Sequence, residues 1–142
     1  MSKASPHYRG ERGAAYHEFY KDIFVPRTEI SVRILNEHLL PTDAVLDFGC
    51  ADGSLLVSLP NSRKMGVEIN ESSRAAAIGR GLTVESSIES VPDASFDLVF
   101  SSHVLEHTLQ PLDELVQLRR VMAATGKLVL LLPIEDWRTQ RK

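Results

Sequence analysis

The densest chemistry in the sequence lies in Asp47-Phe48-Gly49-Cys50-Ala51-Asp52-Gly53, with Glu68 placed 21 residues after Asp47. Small residues at 49, 51 and 53 let a backbone turn tightly and approach a ligand closely, as a nucleotide-type loop requires. A carboxylate at Glu68, at the end of the following strand, can accept hydrogen bonds from both hydroxyls of a ribose. A glycine-rich turn alone says little; the turn and the acid together imply an adenosine-containing ligand.

Charge divides the two ligand classes that share this geometry. A dinucleotide sets an anionic pyrophosphate at the loop and the helix N-terminus, where nearby carboxylates repel it. Asp47 and Asp52 both flank the loop. S-adenosylmethionine has no phosphate, and its methionine end carries an ammonium and a sulfonium that acidic groups suit. The dinucleotide pattern G-x-G-x-x-G also fails locally, with Ala51 at its second glycine and Ser54 at its third. The charges favour S-adenosylmethionine over a dinucleotide.

The elements that must position these groups alternate along the chain. Ile30, Ile34, Leu35 and Leu39 follow helical spacing and predict a helix over 26–39, ended by Pro41. Ala44 to Phe48 reads as a buried strand, 53–59 as a short helix stopped by Pro60, and Lys64 to Ile69 as a second strand. A helix over 71–79, a third strand over 82–84 and a fourth over 96–101 follow. Leu112, Leu115, Val116, Leu118 and Val121 mark a helix over 111–122 with proline in its first turn, ended by Gly126 ahead of a fifth strand over 127–132. Nearly all-apolar strands alternating with helices predict an α/β fold: a doubly wound, mostly parallel sheet with helices on both faces, Rossmann-like. Ligands in such sheets bind beyond the carboxyl ends of the strands, where Asp47 and Glu68 fall. Residues 1–25 read as an arm or lid, aperiodic over the first dozen, and 26–142 as the ligand-binding domain.

Asp47-x-Gly49-x-Ala51-x-Gly53, the acid Glu68, the strand Ser95-Phe-Asp-Leu-Val-Phe100 and the following Val104-Leu-Glu-His107 together resemble a class I S-adenosylmethionine-dependent methyltransferase, over roughly 42–133. The resemblance implies S-adenosylmethionine as cofactor and methyl transfer to an acceptor that the sequence does not identify. It assigns Asp47, Gly49, Ala51, Gly53 and Glu68 to the cofactor, with Cys50 and Asp52 in the same turn and Ile69 beside the adenine. Many relatives have an acid after the third strand that binds the adenine amino group; here that position is Ser87, with Ile88 beside it, and a serine accepts a hydrogen bond more weakly. The family sheet has seven strands, and two are missing here. The fifth strand would then be an open edge, which predicts either a fragment of a longer protein or an oligomer covering that edge.

Other readings of these residues stay open at this point. Asp47 and Glu68 could cap helices or pair with Arg63 or Arg74, and Cys50 reads chiefly as a small space-filling residue. His103, just past the fourth strand, could take a proton from an acceptor or be a hydrogen-bonded rim residue. Tyr16 and Tyr20 read as core contacts or as groups closing over the cofactor. His103-Val104-Leu105-Glu106-His107 formally matches H-x-x-E-H, a zinc hydrolase pattern, although Pro111 allows only a short helix there. A noncatalytic S-adenosylmethionine-binding module is a further alternative.

Composition bounds the remaining classes. The 142 residues are 43% hydrophobic and 25% charged with a net charge of −3, the profile of one folded domain and not of a nonspecific nucleic-acid binder. The longest run of large apolar residues, Leu128 to Leu132, spans five positions against the roughly 20 that a membrane helix needs. One cysteine excludes an intramolecular disulfide and a cysteine-rich metal site, and a cytoplasmic setting is expected.

Overall fold

The computed structural model describes residues 6–20 and 25–133. Five strands, β1 (Val45–Phe48), β2 (Lys64–Val67), β3 (Thr83–Glu85), β4 (Phe96–Ser102) and β5 (Met122–Leu131), form one sheet in the order β3-β2-β1-β4-β5. Every pairing is parallel. The described residues also form five helices, α1 (Gly10–Tyr20), α2 (Val25–Asn36), α3 (Ser54–Ser58), α4 (Glu71–Gly79) and α5 (Pro111–Val121), and three short 3-10 turns.

The central strand shows why this sequence folds so. All four residues of β1 are buried, and successive side chains leave on opposite faces. Leu46 and Phe48 enter one core with Val99, Ile88 and Leu118. Val45 enters the other with Leu98, Leu35, Leu56 and Ala77. Thus α5 covers one face and α2, α3 and α4 the other, the doubly wound arrangement expected of strands apolar on both sides. Leu46, fully buried, contributes about 1.5–3 kcal/mol by leaving water.

Connections from β1 run to β2 on one side, while β4 pairs its other side. The strand order therefore reverses between β1 and β4, and a crevice opens above their carboxyl ends.

Three differences from the sequence pattern have local causes. Helix α2 stops at Asn36, because the amides of His38 and Leu39 both fold back on the Leu35 carbonyl at 2.8 and 3.0 Å. The fifth strand begins at Met122, and its register to β4 jumps from Phe96–Met122 to Leu98–Lys127. Gly126 sits inside that irregularity and does not end a helix; a Cβ there would lie 2.9 Å from the Phe96 carbonyl oxygen.

The largest difference is N-terminal. The stretch read as an arm or lid, 1–25, forms a 3-10 turn (Pro6–Tyr8) and the whole of α1, while residues 1–5 and 21–24 lie outside the described part. Helix α1 has one buried residue, Gly13, so it carries no apolar stripe for periodicity to detect. Polar links hold it instead: the Asn70 side-chain amide donates to the Gly13 carbonyl at 2.7 Å, and His17 Nδ1 lies 2.9 Å from Ser73 Oγ. Among the described residues, no helix is long and apolar enough to cross a membrane.

Candidate active site

A cavity of about 680 Å³ occupies the crevice above the carboxyl ends of the strands, roofed by the N-terminal turn and α1. This size suits a small-molecule or cofactor site. Sheet order sets its layout: the residues after β3 at one end, Glu68 after β2 next, the β1 loop in the middle, and His103 after β4 at the far end.

The β1 loop alternates left-handed residues: Gly49 at φ 84°, Ala51 at φ 49° and Gly53 at φ 77°. Glycine takes that conformation freely; an alanine there costs about 1–2 kcal/mol. The Ala51 amide donates to Glu68 Oε2 at 2.8 Å, and the Asn70 amide donates to Oε1 at 2.7 Å. Glu68 thus holds the strained loop to the N-terminus of α4. Each of its oxygens keeps a lone pair for a further donor. Burial pushes its carboxyl up from the usual carboxylate range, against the opposing pull of these amides and of Arg74. Arg74 itself donates to the Glu68 and Ile69 carbonyls at 2.8 and 3.3 Å.

Asp47 stands opposite Gly66 of β2, and Glu68 lies two residues on, so the two side chains project from the same face. Asp47 is 3% exposed. Burial, and after it the Glu68 charge, pushes its carboxyl up to about 8. Among the described residues no hydrogen bond or ion pair reaches that carboxylate. Asp52 is engaged locally: its carboxylate accepts from the Ser54 amide at 3.1 Å and the Ser54 hydroxyl at 2.8 Å, and pairs with Arg80 at 2.8 Å.

The cavity brings together Asp47, Gly49, Cys50, Ala51, Asp52, Glu68, Ile69, Ser87, Ile88 and His103, all singled out from sequence. Gly53 is the exception. It does not line the cavity: a Cβ there would lie 2.4 Å from Leu82 Cδ1, so this glycine serves helix packing and the left-handed turn, not ligand approach. Gly49 likewise makes room for a protein side chain, Val104, whose Cγ2 would lie 2.2 Å from an added Cβ. Cys50 is 4% exposed, its sulfur 2.4 Å from where a Gly66 Cβ would stand. Burial, then Asp47 and Glu68, drives its thiol far above the usual range. It fills space, and a reactive role is physically disfavoured. The Ser87 hydroxyl donates to Glu89, which leaves its oxygen free to accept.

At the far end His103 is left-handed, φ 54°, with its amide held by the Leu131 carbonyl at 2.9 Å. Glu106 Oε1 lies 3.4 Å from His103 Nδ1 and 3.9 Å from His107 Nε2. The zinc hydrolase pattern therefore does not lie on one helix: His103 follows a strand, and Glu106 and His107 belong to a three-residue 3-10 turn, Leu105–His107. Among the described residues no group of three or more His, Cys, Asp or Glu side chains is placed to hold a metal ion.

Several lining residues escaped the sequence reading. Tyr8 lines the cavity beside Tyr16 and Tyr20, its ring 5.0 Å from Tyr16 and 5.7 Å from His107. Asn70 had a local signal, since it caps α4 by accepting from the Ser72 and Ser73 amides. Its link to Gly13 spans 57 residues and left no trace in the sequence.

Known proteins share this fold. Residues 46–130 match the family model described as a methyltransferase domain. The ribosomal protein L11 methyltransferase of Cupriavidus taiwanensis is 32% identical over 113 residues, which cover 74% of this chain and 37% of that protein. Its counterpart from Cupriavidus necator is 31% identical over the same shares. Among solved structures, a putative S-adenosyl-L-methionine-dependent methyltransferase from Methanococcus maripaludis superposes with a TM-score of 0.75 at 15% identity, covering 92% of this chain and 66% of that one. A methyltransferase from Thermotoga maritima, described as a possible histamine N-methyltransferase, gives 0.65 at 22% identity, covering 81% and 58%. The solved structures show the shared fold, and the chain spans 37% of the length of the curated relatives. With the family model matched across most of the sheet, the chain belongs to the class I S-adenosylmethionine-dependent methyltransferase family.

Proposed function

We propose that this domain binds S-adenosylmethionine along the β2–β1–β4 crevice and transfers its methyl group to an acceptor entering beside His103. The observation that carries the reading is the pair Asp47 and Glu68: two buried carboxylates on one face of adjacent strands, inside a cavity whose lining contains no lysine or arginine among the described residues. Such a lining repels a pyrophosphate and suits a cationic ligand. Asp47, with no partner of its own, fits an ammonium group. Glu68, with a lone pair left on each oxygen, fits the ribose hydroxyls, and Ile69, Ile88 and the Ser87 oxygen fit an adenine.

When bound, S-adenosylmethionine supplies a methyl group already activated by the positive sulfur. The chain has to align an acceptor behind that methyl at roughly 3–3.5 Å and exclude water. The roof of Tyr8, Tyr16 and Tyr20 covers the crevice, and His103 stands where an acceptor would meet the methionine end. Its Nδ1 faces Glu106, which leaves Nε2 to take a proton. A cytoplasmic location suits this reading, with Cys50 held as a buried thiol.

Calorimetric titration of S-adenosylmethionine and of NAD into the chain and its Glu68→Ala variant tests the assignment. We expect binding of S-adenosylmethionine alone, weakened in the variant by about 1.5–3 kcal/mol, roughly ten- to a hundredfold. Unchanged affinity in the variant, or preference for NAD, would remove the cofactor assignment.

A further inference from the structure

We propose that the acceptor is an amine, received as an ammonium at the β4 end of the cavity between Glu106 and the Tyr8 ring; this rests on the cofactor reading above. The cavity lining carries Asp47, Asp52, Glu68 and Glu106 and, among the described residues, no lysine or arginine. At this end an anionic acceptor would meet the like charge of Glu106, with no lysine or arginine of the described lining to offset it. A cationic acceptor meets the opposite sign. The two strand-end acids and Asp52 lie at the cofactor half, so Glu106 is the carboxylate left for the acceptor.

The surroundings of Glu106 fit that role. Its side chain is 23% exposed, and among the described residues its basic partners are the imidazoles of His103 and His107, with no guanidinium or ammonium bound to it. Tyr8 packs on His107 at 5.7 Å and on Tyr16 at 5.0 Å, and Tyr16 on Tyr20 at 4.5 Å. Aromatic rings near a half-buried carboxylate attract an organic cation through the ring quadrupole and the charge together. His103 completes the chemistry an amine needs. An ammonium has no lone pair to attack with, so it first gives one proton to Nε2 of His103. The freed nitrogen lone pair then forms the N–C bond as the C–S bond breaks and its electron pair leaves with sulfur. The positive charge passes to the methylated nitrogen, and His103 returns its proton to solvent. Glu106 acts as a positioning residue: it holds Nδ1 of His103 and the incoming cation.

The test begins by verifying calorimetrically that S-adenosylhomocysteine binds. The loaded chain is then titrated with phenethylammonium, Nα-acetyl-lysine methylamide and phenylacetate while the His103 and His107 imidazole signals are followed by NMR. At least one amine is expected to bind about tenfold tighter than phenylacetate. The tighter amine shows whether the source is a free amine or a lysine side chain. Glu106→Gln and, separately, Tyr8→Leu should each weaken amine binding several-fold, up to about tenfold for the charge change, with the fold intact in both and S-adenosylhomocysteine affinity unchanged in Glu106→Gln. Phenylacetate binding as tightly as the amines would overturn the proposal. So would amine affinity unmoved in both variants, or no imidazole shift at tens of millimolar of either amine. Failure of S-adenosylhomocysteine to bind in the first step removes the cofactor reading, and the inference with it.

Discussion

At the ends of β1 and β2 the groups around the cavity are fastened to backbone: Glu68 holds the Ala51 and Asn70 amides, and Cys50 fills the space over Gly66. At the end of β4 the fastenings are looser. His103, Glu106 and His107 keep 37%, 23% and 49% of their side-chain surface and meet at 3.4 and 3.9 Å. Both ends contain a left-handed non-glycine residue, Ala51 and His103, but only Ala51 has a buried acid accepting from its own amide. The contrast separates two tasks. Under the proposed function, the rigid and prearranged end is the one that recognises a fixed cofactor, and the end with exposed side chains and a roof held by polar links is the one that admits and releases an acceptor.

The largest expected effect breaks the rigid half at its charge. Asp47 sits at about 8 in the folded chain against an ordinary 3.8. Between those values the folded chain keeps a proton that the unfolded chain has lost. The stability linked to protonated Asp47 is therefore whole below about pH 4 and drains away as pH rises through about 8. Asp47→Asn removes this slope. We expect the variant to exceed the parent in stability by on the order of 3 kcal/mol at pH 8, seen as a higher Tm that grows between pH 5 and 9, while S-adenosylmethionine binding falls. In the parent, binding an ammonium beside Asp47 requires that proton to leave, so affinity should rise with pH up to about 8. Identical Tm profiles for parent and variant would mean that Asp47 does not bear the charge stress.

The same division governed what could be read from sequence. Helix α4 was legible to the residue, since Ala75, Ala76 and Ala77 favour helix and Asn70 and Gly79 bracket it. The apolar strands were legible because burial on both faces leaves no polar positions. Much of the cavity lining at the ends of β1 and β2 followed from the Asp47–Gly53 turn and Glu68, which sit within a short stretch of chain. Gly53 was assigned to the ligand because a glycine's need for space shows in the sequence, whereas the atom that takes the space, Leu82 Cδ1, does not. At the β4 end His103, Glu106 and His107 were legible, but what covers them was hidden. The roof is a helix without an apolar stripe, anchored by Asn70 and Ser73 from far along the chain, and only tertiary contact reveals it.

A second prediction sharpens the packing side of the comparison. An alanine Cβ at position 66 would lie 2.4 Å from Cys50 Sγ, 3.0 Å from Cys50 Cβ and 3.4 Å from Leu56 Cδ1. Gly66→Ala should therefore cost about 1–3 kcal/mol by overpacking. Removing the sulfur with Cys50→Ala in the same chain should recover part of that loss, because the closest clash disappears while the 3.0 Å contact remains. Denaturant unfolding of the four chains in this cycle measures the coupling. Simple additivity would show that the sulfur does not occupy the space above Gly66.

The smallest expected effect probes the looser half. His103 holds φ 54° with its amide on the Leu131 carbonyl, a conformation that costs a side-chain-bearing residue about 1–2 kcal/mol and glycine almost nothing. His103→Gly relieves that cost but adds freedom to the unfolded chain, about 0.5–1 kcal/mol in the opposite sense. The net expectation is a stability gain of up to about 1 kcal/mol, accompanied by loss of methyl transfer. His103→Ala loses the imidazole equally but keeps the strain, so it should be inactive without the gain. The pair separates the two roles of one position: equal stabilities would mean that the left-handed turn costs nothing here, and methyl transfer surviving in both variants would place the proton acceptor elsewhere. The gain expected only of the glycine variant is the signature of backbone strain kept at the acceptor end so that an imidazole can stand where the fold favours none.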